Sequence, residues 1–303
     1  YFSAVISWTG TITWTPSDDW VDINPGDGEN ITALKRYGLK LLVFKSNYIY
    51  RFHTSSVDPD PLIKVGTRSQ ESIIEGKTGL YFHHDTGFYR YSEDYPVEIS
   101  RPISDIVEAI PFSQFDDIVG WNDQDHIYWS IGTVTVTERG TTDTIKNAVI
   151  RFTESSQLFT IYSLPFDVRR AITYTNGSTI SRIAGLDNGV VATLNSGTTD
   201  LGEPIEYKMR TKWYDWGSTA LRKVINEMVV FCEKAQMMTM MYQIDEENVW
   251  HTIGQMKKLS TFFDKLSIRF HRIRFKVSGV TKVESPVFLG IDILDGINER
   301  IIE

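Results

Sequence analysis

From Ile31 to Phe52 the chain reads ITALKRYGLKLLVFKSNYIYRF. Leu39, Leu41 and Val43 alternate with more polar or variable positions. Lys45-Ser46-Asn47 makes a short polar turn, and Tyr48-Ile49-Tyr50-Arg51-Phe52 follows. Period-2 runs of aromatic and β-branched residues joined by such a turn predict a β-hairpin. The pattern then returns. Phe44 leads to Tyr50-Arg51-Phe52, and Phe82 leads, past the expected turn His83-His84-Asp85-Thr86-Gly87, to Tyr89-Arg90-Tyr91. Tyr50 and Tyr89 are 39 residues apart, about the length of one propeller blade. The repeat predicts a β-propeller in which Phe44 and Phe82 hold equivalent buried positions.

Taken in order, Phe2–Ser7, Thr11–Trp14 and Trp20–Ile23 read as short strands, and Asn24–Gly28 (NPGDG) as a turn run. The first repeat spans about 31–65. Asp58-Pro59-Asp60-Pro61 breaks it and Leu62–Val65 completes it as an outer strand. The second spans about 68–110 and ends in a short helix, since apolar residues at 103, 106, 107 and 110 have helical spacing. A third unit uses 118–131, 148–152 and 158–162, with the Thr-rich insertion Thr133–Lys146 between its strands. A fourth covers 171–194, with hairpin turns at Asn176-Gly177 and Asp187-Asn188-Gly189.

The small, polar run Asn195–Gly202 suits a domain boundary. Strands are expected after it at 207–213, 224–231, 237–242, 249–253, 268–277 and 287–293. Many short strands in so few residues indicate a sandwich. The expected fold is therefore all-β: a β-propeller over 1–203 followed by a C-terminal β-sandwich over 204–303.

Composition narrows the function. Hydrophobic residues make up 41% of the 303, aromatics 13% and charged residues 23%, as in a globular chain with an ample core. No run of 18 apolar residues occurs, so no membrane span is expected. Residues 1–205 carry 26 acids and 16 bases, a balance of −10, whereas 206–303 carry 13 acids and 15 bases, a balance of +2. Tight nucleic-acid binding needs Lys and Arg to displace counterions, which the acidic first part lacks. Cys232 is the single cysteine, so no intrachain disulfide forms. Its apolar neighbours mark it as a buried, inert thiol, in keeping with synthesis in a reducing cytoplasm.

The chemical motifs are mostly absent. No G-x-G-x-x-G, Walker A, G-x-S-x-G or H-E-x-x-H sequence occurs. His83-His84-Asp85 with His126 is better read as an exposed polar turn than as a metal site. Asp116, Asp117, Asp123 and Asp125 lack calcium-loop spacing and read as solvated loop acids. Asn176-Gly177-Ser178 matches a glycosylation sequon but serves as a turn. Trp213 and Trp216, and Trp121 and Trp129, invite carbohydrate stacking, though core packing and subunit contact are the stronger readings. No catalytic residue, metal or cofactor is expected.

Six runs carry a resemblance: GDGENITALKRYGLKLLVFKSNYIYRF, VGTRSQESIIEGKTGLYFHHDTGFYRYS, PVEISRPISDIVEAI, DHIYWSIG, IEYKMRTKWYDWGSTALRKVINEMVVF and RFHRIRFKVSG. Together they resemble tailed-bacteriophage virion proteins, the β-propeller proteins of the tail hub, nozzle and head-to-tail junction of short-tailed phages. The resemblance implies residues before Tyr1 that complete the propeller. It also implies a non-enzymatic subunit of a ring, hexameric, located in the virion and made in the host bacterial cytoplasm. Neighbouring adaptor and tail proteins would be its partners, and genome DNA would pass nearby without specific binding. Propellers bind through loops, so Thr137, Glu138, Arg139, Thr141, Thr142 and Asp143 at the insertion tip are the candidate inter-subunit contact. Two rival readings are a receptor- or carbohydrate-binding virion module and a propeller glycosidase.

Overall fold

The computed structural model describes residues 23–299 apart from 25, 54–59, 62–63, 93–94, 139–140, 178, 195, 197–198, 200–201, 203–204, 234–237, 246, 257–259 and 282–286. The strands expected within the first 22 residues, and the outer strand at Leu62–Val65 in part, lie outside these. The chain divides into two compact units, Tyr1–Val136 with Asp143–Asn195, and Ser196–Glu303 with Thr137–Thr142.

The first unit is a succession of antiparallel meanders. β1 (Ile31–Tyr37), β2 (Lys40–Lys45), β3 (Ile49–His53) and β4 (Asp60–Pro61) form one sheet in chain order. The fourth strand is the Asp-Pro pair, with Pro61 opposite Tyr50, rather than Leu62–Val65. Proline is tolerated there because an edge strand does not use every N–H. β5 (Ile74–Glu75), β6 (Leu80–His84), β7 (Gly87–Tyr91) and β8 (Pro96–Glu98) form the second sheet. A 3-10 turn at Arg101–Ile103 and α1 (Ser104–Glu108) follow, burying Ile106 and Val107, as the helical spacing requires. β9 (Val119–Asp123), β10 (His126–Glu138), β11 (Thr141–Thr153) and β12 (Leu158–Ser163) form the third sheet. β13 (Val168–Asn176), β14 (Thr179–Leu186) and β15 (Val191–Leu194) form the fourth.

Side-chain alternation gives each sheet two faces, and the faces are used in sequence. Leu42, Phe44 and Ile49 of the first sheet share a core with Leu80, Phe82 and Tyr91 of the second. The reverse face of the second, through Tyr81 and Phe88, packs on Ile127, Trp129, Ile150 and Phe152 of the third. The reverse face of the third, through Val119, Trp121, Tyr128 and Val149, packs on Val168 and Ala184 of the fourth. Each sheet thus buries itself between its chain neighbours. The fourth sheet differs: Ile172, Tyr174 and Val191 are 60%, 51% and 71% exposed.

Polar links bridge the same interfaces. The Trp129 indole donates to the Ser72 carbonyl at 3.0 Å, and Asn122 donates to the Glu75 carbonyl at 2.8 Å. Arg182 on β14 pairs with Asp123 on β9 at 2.9 Å. The buried Glu154 carboxylate accepts from the Lys77 and Thr78 amides at 3.0 and 2.9 Å. It also accepts from the Thr78 and Tyr81 hydroxyls at 2.9 and 3.0 Å, so the third sheet holds the turn between β5 and β6.

In the second unit, β16 (Ile205–Arg210), β17 (Arg222–Glu233), β18 (Met238–Ile244), β19 (His251–Met256), β20 (Ser260–Phe263), β21 (Ile268–Phe270), β22 (Ile273–Thr281) and β23 (Val287–Glu299) make two sheets. One has the order β16-β22-β18-β19. In the other, β20 and β21 follow one another beside β17, and β23 also pairs with β17. Both sheets feed one core, with Ile225, Met228 and Val230 from β17 and Met238, Met240, Phe275 and Val277 from β18 and β22. The expected single strand 268–277 is broken. The Asp245 carboxylate accepts from the His271 and Arg272 amides at 2.7 and 2.9 Å, which turns the chain from one sheet into the other. The all-β class holds throughout: among the described residues the one α-helix, α1, has 5 residues.

Candidate functional site

The insertion expected at Thr133–Lys146 is a continuous extension of β10 and β11. Thr135 and Thr144 hydroxyls meet at 3.2 Å, and Thr137 and Thr142 at 3.3 Å. Opposed threonines with β-branched stems suit a two-stranded ribbon. Thr137, Thr142 and Asp143 are exposed. Arg139 lies outside the described residues, as do the side chains of Glu138 and Thr141. The base of the ribbon belongs to the core, because Val134 is fully buried and Val136 and Ile145 pack on the same cluster.

His83-His84-Asp85 does not form an exposed turn. His83 and His84 are the last two residues of β6, paired with Phe88 and Gly87, so the connection shrinks to Asp85-Thr86. The reason is packing: the His83 ring lies 5.1 Å from Phe88 and 4.8 Å from Phe115 and is 1% exposed. Neither of its ring nitrogens has a hydrogen-bond partner. Burial holds its pKa down to about 3, so it is a neutral aromatic filler at neutral pH. Burial likewise lowers His84, whose Nδ1 accepts from the Gly66 amide at 3.4 Å. Gly87 begins β7 at φ +147°, and a Cβ there would collide with the Ser100 hydroxyl, so the tight turn requires glycine.

His126 points elsewhere, to the Thr153 hydroxyl at 3.1 Å. No group of three metal-binding side chains comes together among the described residues. The four loop acids disperse. Asp117 pairs with Arg169 at 3.3 Å, Asp123 with Arg182, and Asp125 with Lys77 at 3.4 Å and with Ser155. The Ser155 hydroxyl and the Lys77 ammonium keep the Asp125 carboxyl below the usual range. A polar cleft of about 480 Å³, bordered by Glu29, Thr32, Asn47, Arg68 and Asp116, lies in the same unit. Arg68 is held at its edge by two bonds to Asp85, at 2.9 and 3.0 Å, and lies 4.5 Å from the Phe112 ring.

The tryptophans part company. Trp129 is fully buried, and Trp121 stacks on Tyr128 at 5.2 Å and 1°. Both are core residues of the sheet interfaces. Trp216 is 52% exposed and leans on Phe270 and Tyr214 at 5.4 and 6.1 Å. Trp213 joins a stack of alternating cations and rings. Arg272 and Arg274 lie 5.2 and 4.6 Å from its centroid, while Arg274 and Lys276 lie 5.3 and 5.4 Å from Trp250. Each contact is within cation–π range.

Two features escaped the sequence reading. This stack is one, because Trp213 and Trp250 are far apart in the chain and only the pairing of β22 with its neighbours brings them to the same cations. The other is a third copy of the aromatic-Arg triplet, Ile150-Arg151-Phe152. Arg51 and Arg90 lie opposite Leu42 and Tyr81 on the third strands of their sheets. Arg151 lies on the third strand of its own sheet, 5.2 Å from the Tyr162 ring. The signal was in the sequence, but the long β10–β11 ribbon displaces the copy from the 39-residue step.

No known protein family matches the sequence, and no curated protein matches it. Among solved structures, a chain described as "Glycoside hydrolase" aligns over 82% of this chain and 66% of its own length, at 12% identity and a TM-score of 0.18. A likeness that slight carries no argument about fold or activity.

Proposed function

We propose that this chain is a non-enzymatic structural subunit of a bacteriophage tail or neck ring, a tail hub or nozzle protein. In this reading the four sheets of residues 31–194 are consecutive propeller blades and the unit from 204 to 303 is a β-sandwich. The observation that carries it is the serial use of sheet faces, in which each meander packs between the ones before and after it. Radial repetition of that kind leaves short, protected edges, which suits a part under mechanical load. The exposed Ile172, Tyr174 and Val191 on the fourth sheet support the same reading, since a closed propeller sets a further sheet against that face.

The resemblance of the six sequence runs supplies the location: a homo-oligomeric ring, hexameric, between adaptor and tail proteins and around the DNA channel. The acidic balance of residues 1–205 supports a surface along which DNA passes without being gripped. A glycan array together with a polysaccharide-degradation assay separates this role from its rivals. The structural reading expects neither glycan retention nor degradation products. Retention would support a receptor-binding module, and degradation a glycosidase.

A further inference from the structure

The outer face of the sheet β16-β22-β18-β19 is cationic. Residues directly opposite one another on paired strands share a face, and β16 places Arg210 opposite Lys276 and Lys208 opposite Ser278. Arg274 continues that face opposite Gln243, from which its Nε–H donates to Oε1 at 2.7 Å. The core-facing residues between them are Ile273, Phe275 and Val277. Lys208, Arg210 and Lys212 are exposed. The Arg272–Trp213–Arg274–Trp250–Lys276 stack fixes the inner members of the row. A rigid row of cations is an interaction surface seeking an anionic partner.

We infer that this face docks the helical segment Ser104–Asp117 of a second copy of this chain. The inference rests on the ring reading above and names the contact that would build the ring. Charge complementarity selects the occupant. In α1, Asp105 and Glu108 stand three residues apart, both exposed and without an ion-pair partner among the described residues. Phe112, 63% exposed, and the exposed Asp116 follow. The segment thus offers carboxylates beside an apolar ring, matching ammonium and guanidinium groups beside indoles. A contact between two different surfaces of the same chain is heterologous, the kind that closes rings. A nucleic-acid strand fits less well. The chain carries a net charge of −8, which repels polyanions at long range, and the indole faces that bases would stack on are already engaged by Arg and Lys.

Sedimentation velocity on three full-length proteins tests this: wild type, the face variant K208E/R210E/K276E and the segment variant D105K/E108K, each checked for unchanged thermal stability. Wild type should self-associate, and each variant alone should associate at least about tenfold more weakly, because like charges now meet. Mixing the two variants should restore assembly, since the reversed face of one then meets the reversed segment of the other. Restoration on mixing also separates contact between copies from pairing within one chain. If either variant assembles as wild type does, or the mixture stays dissociated, the docking assignment falls and the ring reading stands. If wild type itself remains monomeric, both fall. Duplex DNA captured by wild type and lost in the face variant, with self-association unchanged, would overturn the second-copy occupant in favour of a nucleic acid.

Discussion

Phe44 and Phe82 meet edge to face across the interface of the first two sheets, ring centroids 5.4 Å apart and planes at 69°. Both are fully buried. They are contact partners and not, as the repeat alone suggests, equivalent positions. Tyr50 pairs with Val43 and Tyr89 with Phe82, so aligning the two triplets aligns Val43 with Phe82. Phe44 lies on the opposite face, looking toward the second sheet. Replacing either ring by Ala should cost about 3–5 kcal/mol, as large-to-small core changes do. Because the rings touch, the double variant should show a coupling of about 0.5–1.5 kcal/mol. Urea unfolding of the four proteins measures both quantities, and strict additivity would contradict the contact.

Acid should weaken the first unit through His83. Its folded pKa of about 3 lies below the model value of 6.5, so between those values the unfolded chain binds more protons than the folded one. Stability is then full above about pH 6.5 and falls as pH drops toward 3, by up to about 1.4 kcal/mol per pH unit. His84, also lowered by burial, adds to the slope in the same direction, and neighbouring Asp85 opposes it at His83. His83→Phe keeps an aromatic ring between Phe88 and Phe115 and should flatten the slope. Unfolding midpoints measured across this pH range decide it, and an unchanged slope in the variant would refute the assignment.

Glu154 should hold the second and third sheets together. Glu154→Ala leaves the Lys77 and Thr78 amides without their acceptor, at a cost of about 1.5–3 kcal/mol for bonds to a charged group. Glu154→Gln keeps one carbonyl oxygen and should cost less. The Tyr81 phenol, pushed up to about 12 chiefly by burial and also by the Glu154 carboxylate, should ionise at lower pH in the Ala variant. Alkaline absorbance titration reads that shift.

Much of the first unit was legible in the sequence because its connections are short and its strands alternate cleanly. The turns at Asn176-Gly177 and Asp187–Gly189 mark themselves by residues that tolerate positive φ, as Gly177 and Gly189 do at +61° and +81°. What stayed hidden depends on tertiary partners. β5 is two residues long, too short for any period, and β21 separates from β22 because of a carboxylate on Asp245, far away in the chain. His83 reads as polar by composition, yet it fills a gap between two phenylalanines. The cation–aromatic stack is invisible as a motif, since its rings and charges come from separate strands.

The ribbon tip gives a further expectation. Removing Thr137–Thr142 and closing the ribbon with a two-residue turn should leave a folded protein, because exposed tips tolerate loss. A cut reaching Val134 should not, since that residue is fully buried. If the tip is an inter-subunit contact, the shorter deletion should weaken assembly while leaving the unfolding midpoint unchanged, which sedimentation and denaturation together would report.

The ring role is tested most directly by class-averaged electron micrographs of the purified full-length protein. The account predicts closed rings with a central opening and uniform rotational symmetry, sixfold on the resemblance to phage tail proteins. Averages showing only isolated monomers, or compact trimers with no opening, would contradict it.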